Sequence, residues 1–516
     1  MCGWLHAQHC DSINNHRIEG YSLEPEFAIQ LADGNILLRA WQDTVINGQP
    51  HPAFIKFYKI SRFGGRILDS VTYENHEKND ILMTRIRNSG NPAYEQYPNI
   101  LVKSLVDNEN CKTDLNLSFF NDDAIFNEDM EITVPLADTL VDFYYYISTS
   151  LLDGNNDLII QYNIPSRDSV YFDRFGLDGT LKHRTIISRS VLPVYTVYDW
   201  DGFFIHGLKQ SHESPSKYVM YGSFDPQPAS FLEWKREFVS YEFDSLFNIV
   251  NTFTIPPTNL NTYPFFSNIS FRNGMVVLED GTSLVVRDVR WTNNLEGTGI
   301  RKYDANGNLL KSVWFDSTIP PTSYGSTWDD YLGIGLEKDD QGNVFCAFQC
   351  MVDNMMTVVV IKLDEDLNII WERYGMHMKT PLGFHRYAWE WCGLNVLDQG
   401  GAVVFGYNYA YNNEQTYPFG LFMMLVDDNE TATHETTRML RPYIFFPNPG
   451  KDLLHLHYSP DVTPRQVTLY DLQGRMLYTQ SNDLENIRMG QLPAGTYTLR
   501  ITMEDGKVYS DRVVKQ

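Results

Sequence analysis

Ile300-RKYDANGNLLKSVW-Phe315 and Val358-VVIKLDEDLNIIWE-Arg373 decide the fold. Each reads as a strand that ends in an Asp-containing turn, followed by a second strand that leaves with aromatic side chains. Asp, Asn and Gly at such turns supply the positive φ angles of a tight hairpin between alternating or wholly apolar strands. Phe54-IKFYKISRFGGRIL-Asp69, Val170-YFDRFGLDGTLKHR-Thr185 and Phe238-VSYEFDSLFNIVNT-Phe253 follow the same plan. A companion hairpin, apolar on both sides of an Asp/Asn/Gly turn, recurs as Phe27-AIQLADGNILL-Arg39, Tyr146-ISTSLLDGNNDLII-Gln161 and Thr196-VYDWDGFFIHG-Leu208. It returns in Asn273-GMVVLEDGTSLVV-Arg287, Leu332-GIGLEKDDQGNVFCAF-Gln349 and Cys392-GLNVLDQGGAVVFG-Tyr407.

Two hairpins make a four-stranded meander that cannot bury both faces alone, so the copies must pack face to face in a ring or stack. Landmark turns fall near Asp33, Asp153, Asp201, Asp280, Asp340 and Asp398. The double step from Asp33 to Asp153 leaves room for a degenerate copy in 101–108 and 115–133. The expectation is an all-β, multi-bladed β-propeller of about seven units of ~60 residues over 21–430, with six or eight also compatible. The pattern resembles the secreted bacterial β-propellers built from long, loosely related repeats.

Composition agrees. The 516 residues exceed one ordinary core, and 14% aromatic residues favour pleated, half-buried surfaces. No apolar run is long enough to span a bilayer as a helix, so no transmembrane segment is expected. The net charge is −24, with 65 acidic against 41 basic side chains. From Arg441 onward nine basic residues meet eight acidic ones, which leaves a net of −25 on residues 1–440. Such acidity excludes a broad nucleic-acid or anionic-membrane surface, since phosphates require clustered Lys and Arg. The charge step, with the polar Thr-rich run Thr431–Thr437, marks 431–442 as a linker. Residues 1–20 read as an N-terminal segment in which Leu5-His-Ala-Gln8 resembles the end of an export signal.

Residues 443–516 read as a small all-β domain, an immunoglobulin-like sandwich of short alternating strands and tight turns. They carry Phe-Phe-Pro447-Asn448-Pro449, then Asp471-Leu-Gln-Gly474-Arg, then Leu-Pro-Ala-Gly495-Thr-Tyr497, and end on Lys515-Gln. This order resembles the C-terminal sorting domain of the type IX secretion system of Bacteroidetes. The resemblance implies passage through the periplasm, recognition by the secretion machinery through these motif residues, and release or anchoring at the outer-membrane surface of a Gram-negative cell.

Chemistry is sparser. Six cysteines lack disulfide-framework or zinc spacing, and His377 and His385 lack a metal motif. Asp153, Asp304 and Asp364 open runs with oxygen side chains at alternate positions, which hairpin turns explain better than calcium loops. No cofactor or metal is expected. Trp328-Asp329-Asp330 and Trp389-Glu390-Trp391 precede or open strands at similar phases of their repeats, with Asp199-Trp-Asp201 as an earlier counterpart. Aromatic faces beside carboxylates suit a glycan or peptide cleft. The function expected is a secreted or cell-surface binding module for a glycan or protein ligand. The alternative is a hydrolase or lyase acting on glycans or peptides through an acidic, Trp-lined face.

Overall fold

The computed structural model describes residues 21–516 apart from 47–48, 63–66, 75–79, 88, 108–111, 137–145, 165–168, 193–202, 212–215, 225–236, 256–274, 279–280, 292–293, 316–334, 353–354, 379–385, 399, 412–415, 427–439 and 447–449. Its regular structure is β throughout, except for the one-turn helix Pro92–Gln96 and a 3-10 turn at Glu128–Met130. Seven antiparallel sheets follow one another along residues 21–426, each a meander whose strands pair in chain order. Blades 1 to 6 occupy residues 21–74, 80–135, 146–188, 203–255, 275–315 and 335–378, with four strands apiece. Blade 7, over residues 386–426, has three among the described residues. The fold is the expected β-propeller, with seven blades.

The Asp turns explain why these segments become hairpins. Asp304 Oδ1 accepts from the backbone N–H groups of Asn306 and Asn308, both at 2.8 Å, and Oδ2 accepts from the Asn308 amide at 2.8 Å. Asp244, Asp339 and Asp364 repeat this pattern with Asn248, Asn343 and Asn368. A type I turn closed by a left-handed residue results, at Gly307 (φ 82°) and Gly342 (φ 90°). Phe247 and Leu367 adopt the same left-handed conformation at φ 60° despite their side chains. Both are buried, and Phe247 stacks on Phe172 of blade 3 with ring centroids 5.0 Å apart, so packing offsets the backbone strain. The carboxylates are thus spent on their own turns. Among the described residues no group of three His, Cys, Asp or Glu side chains is placed to hold a metal ion.

Each blade covers its neighbours. Phe57, Phe120 and Phe126 fill the space between blades 1 and 2. Leu115, Leu117, Ile160 and Tyr162 join blades 2 and 3, and Phe172, Met220 and Phe243 join blades 3 and 4. Tyr221 packs on Met275, Val285 and Tyr303 between blades 4 and 5. Lys302 of blade 5 donates to the Glu365 carbonyl of blade 6 at 3.0 Å. Phe345 and Val360 meet Leu394, Val404 and Met424 between blades 6 and 7. The ring then closes: Ala28, Ile36, Leu38 and Tyr58 of blade 1 pack against Leu397, Val403, Phe405 and Leu425 of blade 7. Gly393 makes room for this closure, because a Cβ there would lie 2.6 Å from the Phe405 ring.

One repeat assignment needs correction, in blade 2, and another, the hairpin expected at 196–208, lies partly outside the described residues. Phe203–Gln210 is a single strand, the first of blade 4, and it returns as Tyr218–Phe224. The Asp-Gly pair at 201–202 lies outside the described residues. In blade 2 the first strand is Asp80–Arg85, ahead of the copy placed at 101–108, and the Pro92–Gln96 helix separates it from the second strand.

The C-terminal module is a sandwich of a three-stranded and a four-stranded sheet. Tyr443, Phe445, Leu454 and Leu456 of one face Val467, Leu469, Leu499, Ile501 and Val513 of the other. Along Gly495–Met503 the inward residues are Tyr497, Leu499, Ile501 and Met503, the period of two that a strand requires.

Phe405→Ala should cost about 3–5 kcal/mol, the range for a buried aromatic truncated to a cavity. Denaturant unfolding checks this. An unchanged midpoint would show that blade 7 does not close the ring onto blade 1.

Candidate functional site

Trp389, Glu390 and Trp391 lie on the first strand of blade 7, Arg386–Leu397, where their backbones pair with Asn408, Tyr407 and Gly406. The ladder slips by one residue between Trp391 and Gly393. Trp328, Asp329 and Asp330, like Asp199 and Asp201, lie outside the described residues. An acidic cleft shared by blades 6 and 7 is therefore not assembled among the described residues.

The first strands of the blades pack against one another around the centre of the ring. Polar side chains on these strands, and Asn156 in the turn that follows one of them, engage the backbone of the neighbouring blade. Gln30 Oε1 accepts from Asp398 N at 2.7 Å, Gln210 Oε1 from Gly154 N at 2.7 Å, and Asn156 Oδ1 from Arg87 N at 2.8 Å. Glu337 is the charged member of this set. Its Oε2 accepts from Val396 N of blade 7 at 2.8 Å.

Glu337 has a second partner in Lys209 of blade 4. Burial pushes the Glu337 carboxyl up, and the Lys209 charge opposes that rise. Burial likewise pushes the Lys209 ammonium down, against the attraction of Glu337. Both side chains nonetheless keep partial contact with solvent. Blade 5 stands between blades 4 and 6, so the two charges belong to blades that are not neighbours. Between them the first strand of blade 5 is only Met275–Val277. Desolvated, mutually coupled charges at a channel wall mark a candidate site, though they equally serve as a brace. Neither residue stands out in the sequence. Lys209 sits at the end of an apolar strand and Glu337 beside Lys338, and only the repeat phase places both on first strands.

The motif residues of the C-terminal module have structural work. Asp471 Oδ1 accepts from Gln473 N and Arg475 N, each at 2.9 Å, and Oδ2 accepts from Arg475 Nε at 2.7 Å. Gly474 supplies the left-handed position, φ 77°. Gly495 opens the strand that pairs with Lys515, and Tyr497 donates its hydroxyl to the Pro493 carbonyl at 2.6 Å. Lys515 Nζ lies 3.4 Å from Asp452 and 3.2 Å from the Gln516 carbonyl. Pro447, Asn448 and Pro449 lie outside the described residues.

Residues 444–516 match the secretion system C-terminal sorting domain. The sorting domain covers the strands and turns just described, which therefore belong to an export signal. No curated protein matches the chain. Among solved structures, the polysaccharide lyase Uly1 superposes with a TM-score of 0.41 at 10% identity, over 82% of this chain and 94% of that one. An endo-arabinase from Bacteroides thetaiotaomicron does so with 0.30 at 12% identity, over 55% and 94%. An α-L-arabinofuranosidase from Lactobacillus brevis gives 0.29 at 10% identity, over 54% and 88%. Likenesses at this level carry no argument about substrate or reaction.

Two outcomes are expected. Tyr497→Phe should destabilise the sorting domain by about 1 kcal/mol, the net worth of one hydrogen bond, read by thermal unfolding. Glu337→Gln tests the channel charge. The folded pKa of Glu337 is raised, so its ionisation costs stability, a cost absent below the unfolded pKa and complete above the folded one. Gln keeps the size and an acceptor for Val396 N without the charge. The Tm of the variant relative to the native chain should therefore climb as pH rises above the ordinary carboxylate range of about 4. A flat or falling difference would show that Glu337 is not desolvated.

Proposed function

We propose that the chain is a binding protein of the bacterial surface, a seven-bladed propeller delivered across the outer membrane by its sorting domain. The match over residues 444–516 carries the delivery part of this reading. The export partner is the type IX secretion machinery, with the motif residues of the sorting domain, Pro447 to Lys515, as its recognition elements. The protein is released or held at the outer-membrane surface. The ligand is a glycan or a protein taken at the face where the first strands meet, with Trp389, Glu390 and Trp391 on blade 7 and Trp328, Asp329 and Asp330 ahead of blade 6 as its contacts.

Deleting 441–516 should leave a folded propeller stranded in the periplasm. Surface delivery of the truncated chain would remove the sorting assignment. On a glycan array the native protein should bind without releasing products. Product formation that Glu390→Gln abolishes would replace the binding module by an enzyme.

A further inference from the structure

Among the described residues the outer strand of blade 5, Leu309–Phe315, is the one blade edge to which a further strand adds. Leu440–Arg441, the end of the expected linker, adds to it as a fifth antiparallel strand, Arg441 opposite Trp314 and Leu440 opposite Phe315. Two residues earlier along the edge, Ser312 N donates to Ser459 Oγ of the sorting domain at 2.6 Å. Both serines are buried, at 1% and 0% exposure. Ser459 is fixed in turn, since its N–H donates to the Pro442 carbonyl at 2.8 Å and its hydroxyl to Asp461. Asp461 also faces Lys311 at 3.7 Å.

The register explains why blade 5 carries these contacts. The two positions that Lys311 and Ser312 hold opposite Lys302 and Arg301 recur in the corresponding hairpins of blades 1, 3, 4 and 6. In blade 1 they are Asp69 and Ser70, in blade 3 His183 and Arg184, in blade 4 Asn251 and Thr252, in blade 6 Trp371 and Glu372. Asp461 would meet a carboxylate on blade 1 and an indole on blade 6. On blade 3 a long guanidinium, already paired to Asp173, stands where Ser459 must approach. Blade 5 alone of the five joins a cation to a small side chain.

The contacts named come from Leu440–Arg441 and the turn at Ser459–Asp461, beside the three-stranded sheet. Asp471, Gly474, Gly495 and Tyr497 belong to the four-stranded sheet or its turns. We propose that the outer edge of blade 5 is a specific dock that holds the sorting domain in one orientation and leaves its motif-bearing sheet free for the secretion machinery. This rests on the export reading above and adds that the sorting domain travels fixed to its cargo rather than on a loose tether.

Amide hydrogen exchange on the full-length protein tests the dock. Residues 312–315 should exchange at least about tenfold more slowly than the uncovered outer strands 181–188 and 249–255. Ser459→Ala and, from the opposite side, Lys311→Glu should each erase most of that difference. Exchange in 495–503 should stay unchanged, which shows that the sorting domain remains folded. Equal exchange of the three outer strands in the native protein would overturn the dock, as would protection that survives both variants. Surface delivery separates the two layers of the proposal. The docking variants should export less than the native chain, and the 441–516 deletion not at all. Normal export by undocked variants would overturn the orienting role while leaving the sorting assignment intact. Normal export by the deletion would overturn both.

Discussion

The ring depends on one contact, that of blade 1 with blade 7. A four-stranded meander has two apolar faces, and a row of seven would leave the outer faces of the first and last blades in water. Ile36, Leu38 and Phe405 would then be exposed, each forfeiting about 1.5–3 kcal/mol of burial. Closure buries them together, and Gln30, Arg62 and Asp398 add hydrogen bonds across the same seam. Once the seam is closed, the first strands are confined to the centre and their polar side chains have only the neighbouring backbone to satisfy. The amide contacts of Gln30 and Gln210 and the carboxylate contact of Glu337 are consequences of that confinement.

Closure leaves the outer strands as the unfinished part of the molecule. Each presents a row of backbone groups with no further blade to receive them, and such an edge invites pairing with another chain. Blade 3 answers with the charge of Arg184, and blade 6 with that of Arg373. On blade 5 the chain itself supplies the extra strand. A hydroxyl and two residues of backbone suffice there because Ser312 is small enough to let Ser459 reach its N–H group.

Much of the ring was legible because its turns are chemically explicit. An Asp whose carboxylate collects the N–H groups two and four residues on leaves a signature at Asp153, Asp244, Asp304, Asp339 and Asp364, and that signature sets the phase of the repeats. Reading failed where the signature was absent. Asp80–Arg85 in blade 2 is a short first strand followed by a helix, with no Asp-Gly turn to announce it. The linker assignment missed Leu440–Arg441 because strand addition depends on the edge that receives it, and that edge lies well over 100 residues away. Lys209 and Glu337 escaped for a related reason: their coupling joins blades 4 and 6, which are not neighbours.

The acidity of the propeller takes on a different meaning in this light. Asp304 is held below the ordinary carboxylate range by the Asn308 amide and by backbone N–H groups of its own turn, and Asp244 is held down in the same way by Asn248. A carboxylate whose pKa falls on folding adds stability above its unfolded pKa and loses it as pH drops through the folded one. Part of the net −25 is therefore the chemistry that makes the hairpins, repeated blade after blade, and not a surface shaped for a cationic ligand. It is charge that the fold uses locally, with both oxygens already committed. A ligand site on this ring has to be sought where charge is left over from that construction, on the first strands that carry Lys209 and Glu337.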